Sequence, residues 1–131
     1  MPYPFENLRV WKSSLESVKS VYALSRKLPK TEQFGGLADQ MRGASVSVSL
    51  NIAEGKTSGS DAEFRRFLRI ALRSLNEVIA SLKIAIELGF LGEEETGAVF
   101  KKCDELGAGL NALINTLTQG VRAKKEPKAN R

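Results

Sequence analysis

Asn51 and Glu54 place a carboxamide and a carboxylate three residues apart, around the apolar pair Ile52-Ala53 and just before Gly55. On a helix, that spacing puts both groups on one side. In an enzyme they could orient a substrate and move a proton. Beside a packing face they would instead need hydrogen-bond partners, and would serve as a polar network that fixes how helices fit together. Catalysis also needs a nucleophile–base pair or a ligand cluster, and neither accompanies them. The chain has no histidine in 131 residues. That removes the usual general base, the usual zinc ligand and the Glu-x-x-His pairs of di-iron bundles. The expectation is therefore no catalytic residue, no metal site and no cofactor. The alternative is an enzyme working through the carboxylates Glu54 and Glu77 alone.

A second constellation is basic. Arg65, Arg66, Arg69 and Arg73 fall within an arc of about 100° on one helix, away from its apolar face. Such a row can track phosphates on RNA or DNA. It is equally the pattern of a solvated face, because Asp61 stands four residues before Arg65 and Glu77 four after Arg73, the spacing of intrahelical ion pairs. No exposed aromatics interleave with the row for base stacking, and no groove-reading motif is present. The net charge of +5 comes mostly from the end of the chain. Residues 121–131 hold Arg122, Lys124, Lys125, Lys128 and Arg131 against Glu126. Lys124 and Lys125 are the tail residues with which nucleic acid would be held. Cys103, the single cysteine, cannot form an internal disulfide and reads as a small core hydrophobe.

Four amphipathic helical patterns have to position these residues, and no segment alternates like a strand. The first spans about Asn7 to Leu28, with Val10, Trp11, Ser14, Leu15, Val18, Val21, Tyr22 and Ser25 on one face, before Pro29 and the turn Phe34-Gly35-Gly36. The second spans about Leu37 to Glu54, with a stripe of Leu37, Met41, Ala44, Val48 and Ile52, and Gly55 as a left-handed cap. Gln40, Ser47, Asn51 and Glu54 make a polar ridge beside that stripe, within about 60° of arc. The third begins after Ser60, with Glu63 completing a capping box, and stops at Gly89. Its apolar arc, from Phe64 to Leu88, reaches about 200°, where a single core needs little more than about 100°. An oligomer interface is expected there. The fourth spans about Glu93 to Gln119, with a seam of Val99, Cys103, Leu106, Leu110, Leu113 and Leu117. Short loops between helices of this length make an antiparallel, up-down-up-down four-helix bundle, all-α, over residues 1–120, followed by a disordered basic tail over residues 121–131. No apolar run approaches the roughly 20 residues of a membrane span, and the N-terminus lacks a secretory pattern, so a cytoplasmic location is expected.

These residues resemble a known family, the four-helix-bundle proteins encoded in intervening sequences of bacterial 23S ribosomal RNA genes, also labelled S23. Phe5, Leu8, Val10 and Trp11 resemble the family's opening, and Pro29, Glu32 and Phe34 its first turn. Gly36-Leu37, Gln40, Arg42, Ala44, Ser47 and Val48 lead into the Asn51-to-Gly55 signature. Phe64, Phe67-Leu68, Ile70-Ala71, Ser74 and Glu77 resemble the third-helix pattern. Three positions depart from it: Gly43 stands where a second arginine is common, Ser49 where proline often stands, and Arg73 where glycine often precedes the serine. The resemblance implies a left-handed bundle assembled as a ring of five, with no established enzymatic activity. The chain is also similar to the accessory protein of diversity-generating retroelements, a pentameric bundle that binds a reverse transcriptase and nucleic acid. The expected function is thus a non-enzymatic homopentameric scaffold, whose partners are its own copies and, further, RNA or DNA or a nucleic-acid enzyme. The alternative is a nucleic-acid-binding protein using the arginine row and the basic tail. Gln40, Ser47, Asn51, Glu54, Ser74 and Glu77 are expected to form the structural polar network.

Overall fold

The computed structural model describes residues 2–125, with side chains to residue 124. Four helices follow one another: α1 (Arg9–Ser25), α2 (Leu37–Thr57), α3 (Asp61–Glu87) and α4 (Glu93–Lys125). Short 3₁₀ turns at Pro4–Asn7 and Lys30–Glu32 precede α1 and α2. Each helix packs on its neighbours in the chain, and α1 closes against α4, while neither diagonal pair meets among the described residues. The result is an up-down-up-down four-helix bundle with one core at its axis.

That core is built from one stripe per helix. Val10, Val21 and Leu24 come from α1; Met41, Val48 and Ile52 from α2; Leu68, Leu75, Val78 and Leu82 from α3; Val99, Cys103, Leu106 and Leu110 from α4. The stripes of α1 and α4 differ from the sequence reading. On α1, Leu15 is exposed while Ser17 and Leu24 are buried, so the face is rotated from the predicted one. Serine is small enough to sit in a tight helix contact, and periodicity based on apolar residues alone overlooks it. On α4, Ile114 and Val121 are buried and Leu113 and Leu117 only partly. A strict seven-residue repeat drifts around a 3.6-residue helix, and the buried seam follows the drift.

Two boundaries also differ. Gly55 is not a cap: α2 continues through it to Thr57, and the left-handed residue is Gly59, at φ +93°. Gly55 is instead a close approach of α2 to α3, because a β-carbon there would lie 2.9 Å from both Phe64 Cδ1 and Phe67 Cβ. α4 runs to Lys125, so residues 121–125 of the predicted tail are helical, with Val121 buried. The rest of that tail, 126–131, lies outside the described residues. Ser60 caps α3 as read, its Oγ accepting from Glu63 N at 3.1 Å, and Gly89 ends the helix at φ +78°, but the capping box is only half made, because the Glu63 carboxylate turns to Arg66. No helix of the described residues is long and apolar enough to cross a membrane.

Candidate functional site

One hydrogen bond and one aromatic contact set how α2 and α3 are aligned. Ser47 Oγ and Ser74 Oγ are 2.8 Å apart across the pair, and Gly55 faces Phe64 and Phe67 one end further on. Asn51 Nδ2 donates to Ser47 O at 2.9 Å and to Ser47 Oγ at 3.2 Å. A three-residue chain, Asn51–Ser47–Ser74, therefore joins the two helices, with all three side chains half-buried. Gln40, Glu54 and Glu77 do not join it. Each is exposed and makes no side-chain hydrogen bond among the described residues. The antiparallel alignment sets Glu54 level with Phe67 and Glu77 ten residues further along α3, so the two carboxylates stand about 15 Å apart along the axis. That separation is too great for a paired acid and base.

A denser polar cluster lies at the α1–α2 turn, around Arg42, whose side chain is 17% exposed. Its Nη1 donates to Ser25 Oγ at 3.1 Å and to Gln33 Oε1 at 3.0 Å, and its Nη2 to Gln33 O. Gln33 Nε2 in turn donates to Ser25 O and Leu28 O. The guanidinium thus locks the loop to both helices. Gln33 gave no sequence signal, because a loop glutamine is ordinarily solvated. A second serine pair, Ser14 and Ser49, lies at 2.8 Å in the α1–α2 contact.

Cys103 is fully buried on α4, and burial pushes its thiol above the ordinary cysteine range, offset in part by a hydrogen bond with Ser17. The thiol stays protonated at neutral pH and out of reach of solvent. Iodoacetamide should therefore leave the folded chain unmodified at pH 8 and label it promptly in denaturant; prompt labelling of the folded chain would show this core to be open.

The basic residues form the most distinctive surface. Arg65, Arg66, Arg69 and Arg73, with Ala62 and Ile70, line a shallow concavity of about 450 Å³ on the outer side of α3. The ion pairs read from spacing do not form. Asp61 turns to α4 and pairs with Lys124 at 3.5 Å, so neither Asp61 nor Lys124 serves the row. The Arg73–Glu77 pair is likewise absent among the described residues. Arg66 instead pairs with Glu63 at 3.0 Å and lies over the Phe67 ring, 4.5 Å from its centroid. The hydrogen bond from Arg66 holds the Glu63 carboxyl below the usual carboxylate range and raises the Arg66 guanidinium in turn. With its folded value depressed, Glu63 contributes to stability above the ordinary carboxylate pKa, and that contribution is lost as pH falls through the folded value. Arg65 Nε is buried and donates to no acceptor among the described residues. Arg69 and Arg73 are exposed and make no ion pair there. The Lys125 side chain lies outside the described ones.

The family model described as 23S rRNA-intervening sequence protein matches residues 6–112. Among solved structures, the fold is similar to the crystal structure of a protein with unknown function from the S23 ribosomal protein family of Bacteroides thetaiotaomicron VPI-5482. The two share 24% identity and a TM-score of 0.74, over 81% of this chain and 95% of that one. No curated protein matches the chain.

Proposed function

The chain belongs to the 23S rRNA-intervening sequence protein family, and on that footing we propose that it works as a homo-oligomeric scaffold, joined through the outer face of α3. The observation that carries this reading is an apolar surface that the bundle itself leaves uncovered. Ile84 and Leu88, at the C-terminal end of α3, are 49% and 57% exposed. The α2–α3 alignment brings the α1–α2 loop to the same end, where Phe34 is 92% exposed. Scattered apolar residues are ordinary on a surface, but three large ones gathered at one end mark an interaction site. Ile84 and Leu88 are also what remains of the broad apolar arc of α3 after the core has taken its share. A ring of five copies is the arrangement implied by the family resemblance.

Replacing Ile84 and Leu88 together by glutamate should reduce the assembly to single chains of 14.3 kDa, as read by light scattering, with helicity unchanged by circular dichroism. Both residues face outward, so the fold of one chain does not need them. An assembly of unchanged mass in the double variant would remove this face from the interface.

A further inference from the structure

The outer side of α3 is divided. Its C-terminal half carries Ile84 and Leu88, while its N-terminal half carries the four arginines. A scaffold interface at one end does not explain a cationic concavity at the other. Four guanidinium groups within nine residues repel one another, and among the described residues Glu63 alone forms an ion pair with one of them. A bound anion would remove the repulsion.

We propose that this concavity binds the phosphate backbone of one strand of nucleic acid, without selecting its bases. Three features support it. Arg65, Arg69 and Arg73 stand four residues apart along one line, a repeat of about 6 Å on an α-helix. A strand of nucleic acid carries its phosphates at a regular spacing of the same order, so successive arginines in the row can meet successive phosphates. A regular row of this kind fits a polymer of evenly spaced charge better than a single small anion. Next, three of the four arginines are not engaged by a carboxylate among the described residues. Arg69 and Arg73 make no ion pair among the described residues, and Arg65 Nε is buried without an acceptor. A guanidinium in that condition presents its outer nitrogens to a phosphate as a preformed fork. Finally, the surface lacks the means to read bases. The one aromatic ring beside it, Phe67, is covered by the Arg66 guanidinium. Phosphate contacts fix position and carry no sequence information.

Glu63 acts on this face as an internal competitor. It holds Arg66 through hydrogen bonds to both carboxylate oxygens, with donor–acceptor distances of 3.0–3.3 Å. A phosphate taking Arg66 has to displace that carboxylate. Removing its charge should therefore strengthen binding, whereas removing arginine charge should weaken it.

The test is fluorescence anisotropy with the full-length protein and labelled 20-nucleotide single strands of RNA and of DNA, over a series of salt concentrations. The double variant Arg69→Glu/Arg73→Glu should bind at least tenfold more weakly. Its plot of log affinity against log salt should be shallower by ~1.4, since each lost single-strand phosphate contact removes about 0.7 of slope. Lys12→Glu/Arg26→Glu, on α1 and at its C-cap, diagonally across the bundle from α3, makes the same change in net charge and should alter affinity less than threefold. Glu63→Gln should bind twofold to fivefold more tightly. RNA and DNA should agree within threefold. Circular dichroism and melting confirm that each variant is folded. Undetectable binding by the unaltered protein in 20 mM salt would overturn the proposal, as would equal losses in the two charge-reversal variants. A polyglutamate peptide that binds as tightly as the oligonucleotides would assign the face to acidic proteins instead.

Discussion

Replacing Gly55 by alanine is expected to destabilise the protein by ~1–3 kcal/mol, although the same change in a helix interior ordinarily stabilises by about 1 kcal/mol. The reason is local. Gly55 is buried inside α2, and an added β-carbon would stand 2.9 Å from Phe64 Cδ1, 2.9 Å from Phe67 Cβ and 3.3 Å from Phe64 O. Rotating the Phe64 ring relieves only the first contact. The other two belong to the α3 backbone or to the atom next to it, so the helices would have to move apart at this contact. Gly43 makes the internal comparison. It lies on the exposed side of the same helix, and a β-carbon there meets nothing within 4 Å. Gly43→Ala should therefore stabilise by ~0.5–1 kcal/mol, through helix propensity alone. Both are measured by urea unfolding at one protein concentration, because assembly makes apparent stability concentration-dependent. If Gly55→Ala is stabilised as much as Gly43→Ala, the close approach of α2 and α3 is not as described.

Leu68→Ala should cost more, about 2–5 kcal/mol. Leu68 is fully buried on the inner side of α3, among a core that includes Ile52 and Leu110. Truncation removes favourable burial and leaves a cavity that rigid neighbouring helices cannot close. Its neighbours in sequence, Arg66 and Arg69, point the other way. The variant thus separates the two faces of one helix: it should lower stability greatly while leaving oligonucleotide affinity of the folded protein within about twofold. A loss under 1 kcal/mol would mean that this stripe of α3 is not the centre of the core.

Much of the fold was readable because helix periodicity and breakers are local signals. Ser60 with Glu63, the Gly89 stop, and the Met41–Ala44–Val48–Ile52 stripe all rest on contacts within a few residues. What was not readable depends on the neighbouring helix. Gly55 looked like a cap because glycine usually ends a helix, but its role is set by Phe64 and Phe67 across the interface. Gly109 is similar, since a β-carbon there would lie 3.1 Å from Val10 Cγ1, whereas Gly107 leaves ordinary room beside Leu75. Ser17 is buried because α1 and α4 meet there, and nothing in its own sequence window shows it. Of the expected polar network, sequence angle grouped only the four α2 residues Gln40, Ser47, Asn51 and Glu54, and only Ser47, Asn51 and, from α3, Ser74 are bonded, because short side chains meet across a tight contact while Gln40, Glu54 and Glu77 extend to water. The arginine row was legible in its residues and misjudged in its partners. Spacing suggested Asp61–Arg65 and Arg73–Glu77 pairs, but α4 ends beside Asp61 and supplies Lys124.

The scaffold reading rests on one central claim, that the bundle is a subunit and not a finished particle. Light scattering of the unmodified chain at several concentrations tests it most directly. The expected result is a stable mass of about five chains, each of 14.3 kDa, at the family-implied ring stoichiometry. A mass of one chain at every concentration would contradict it.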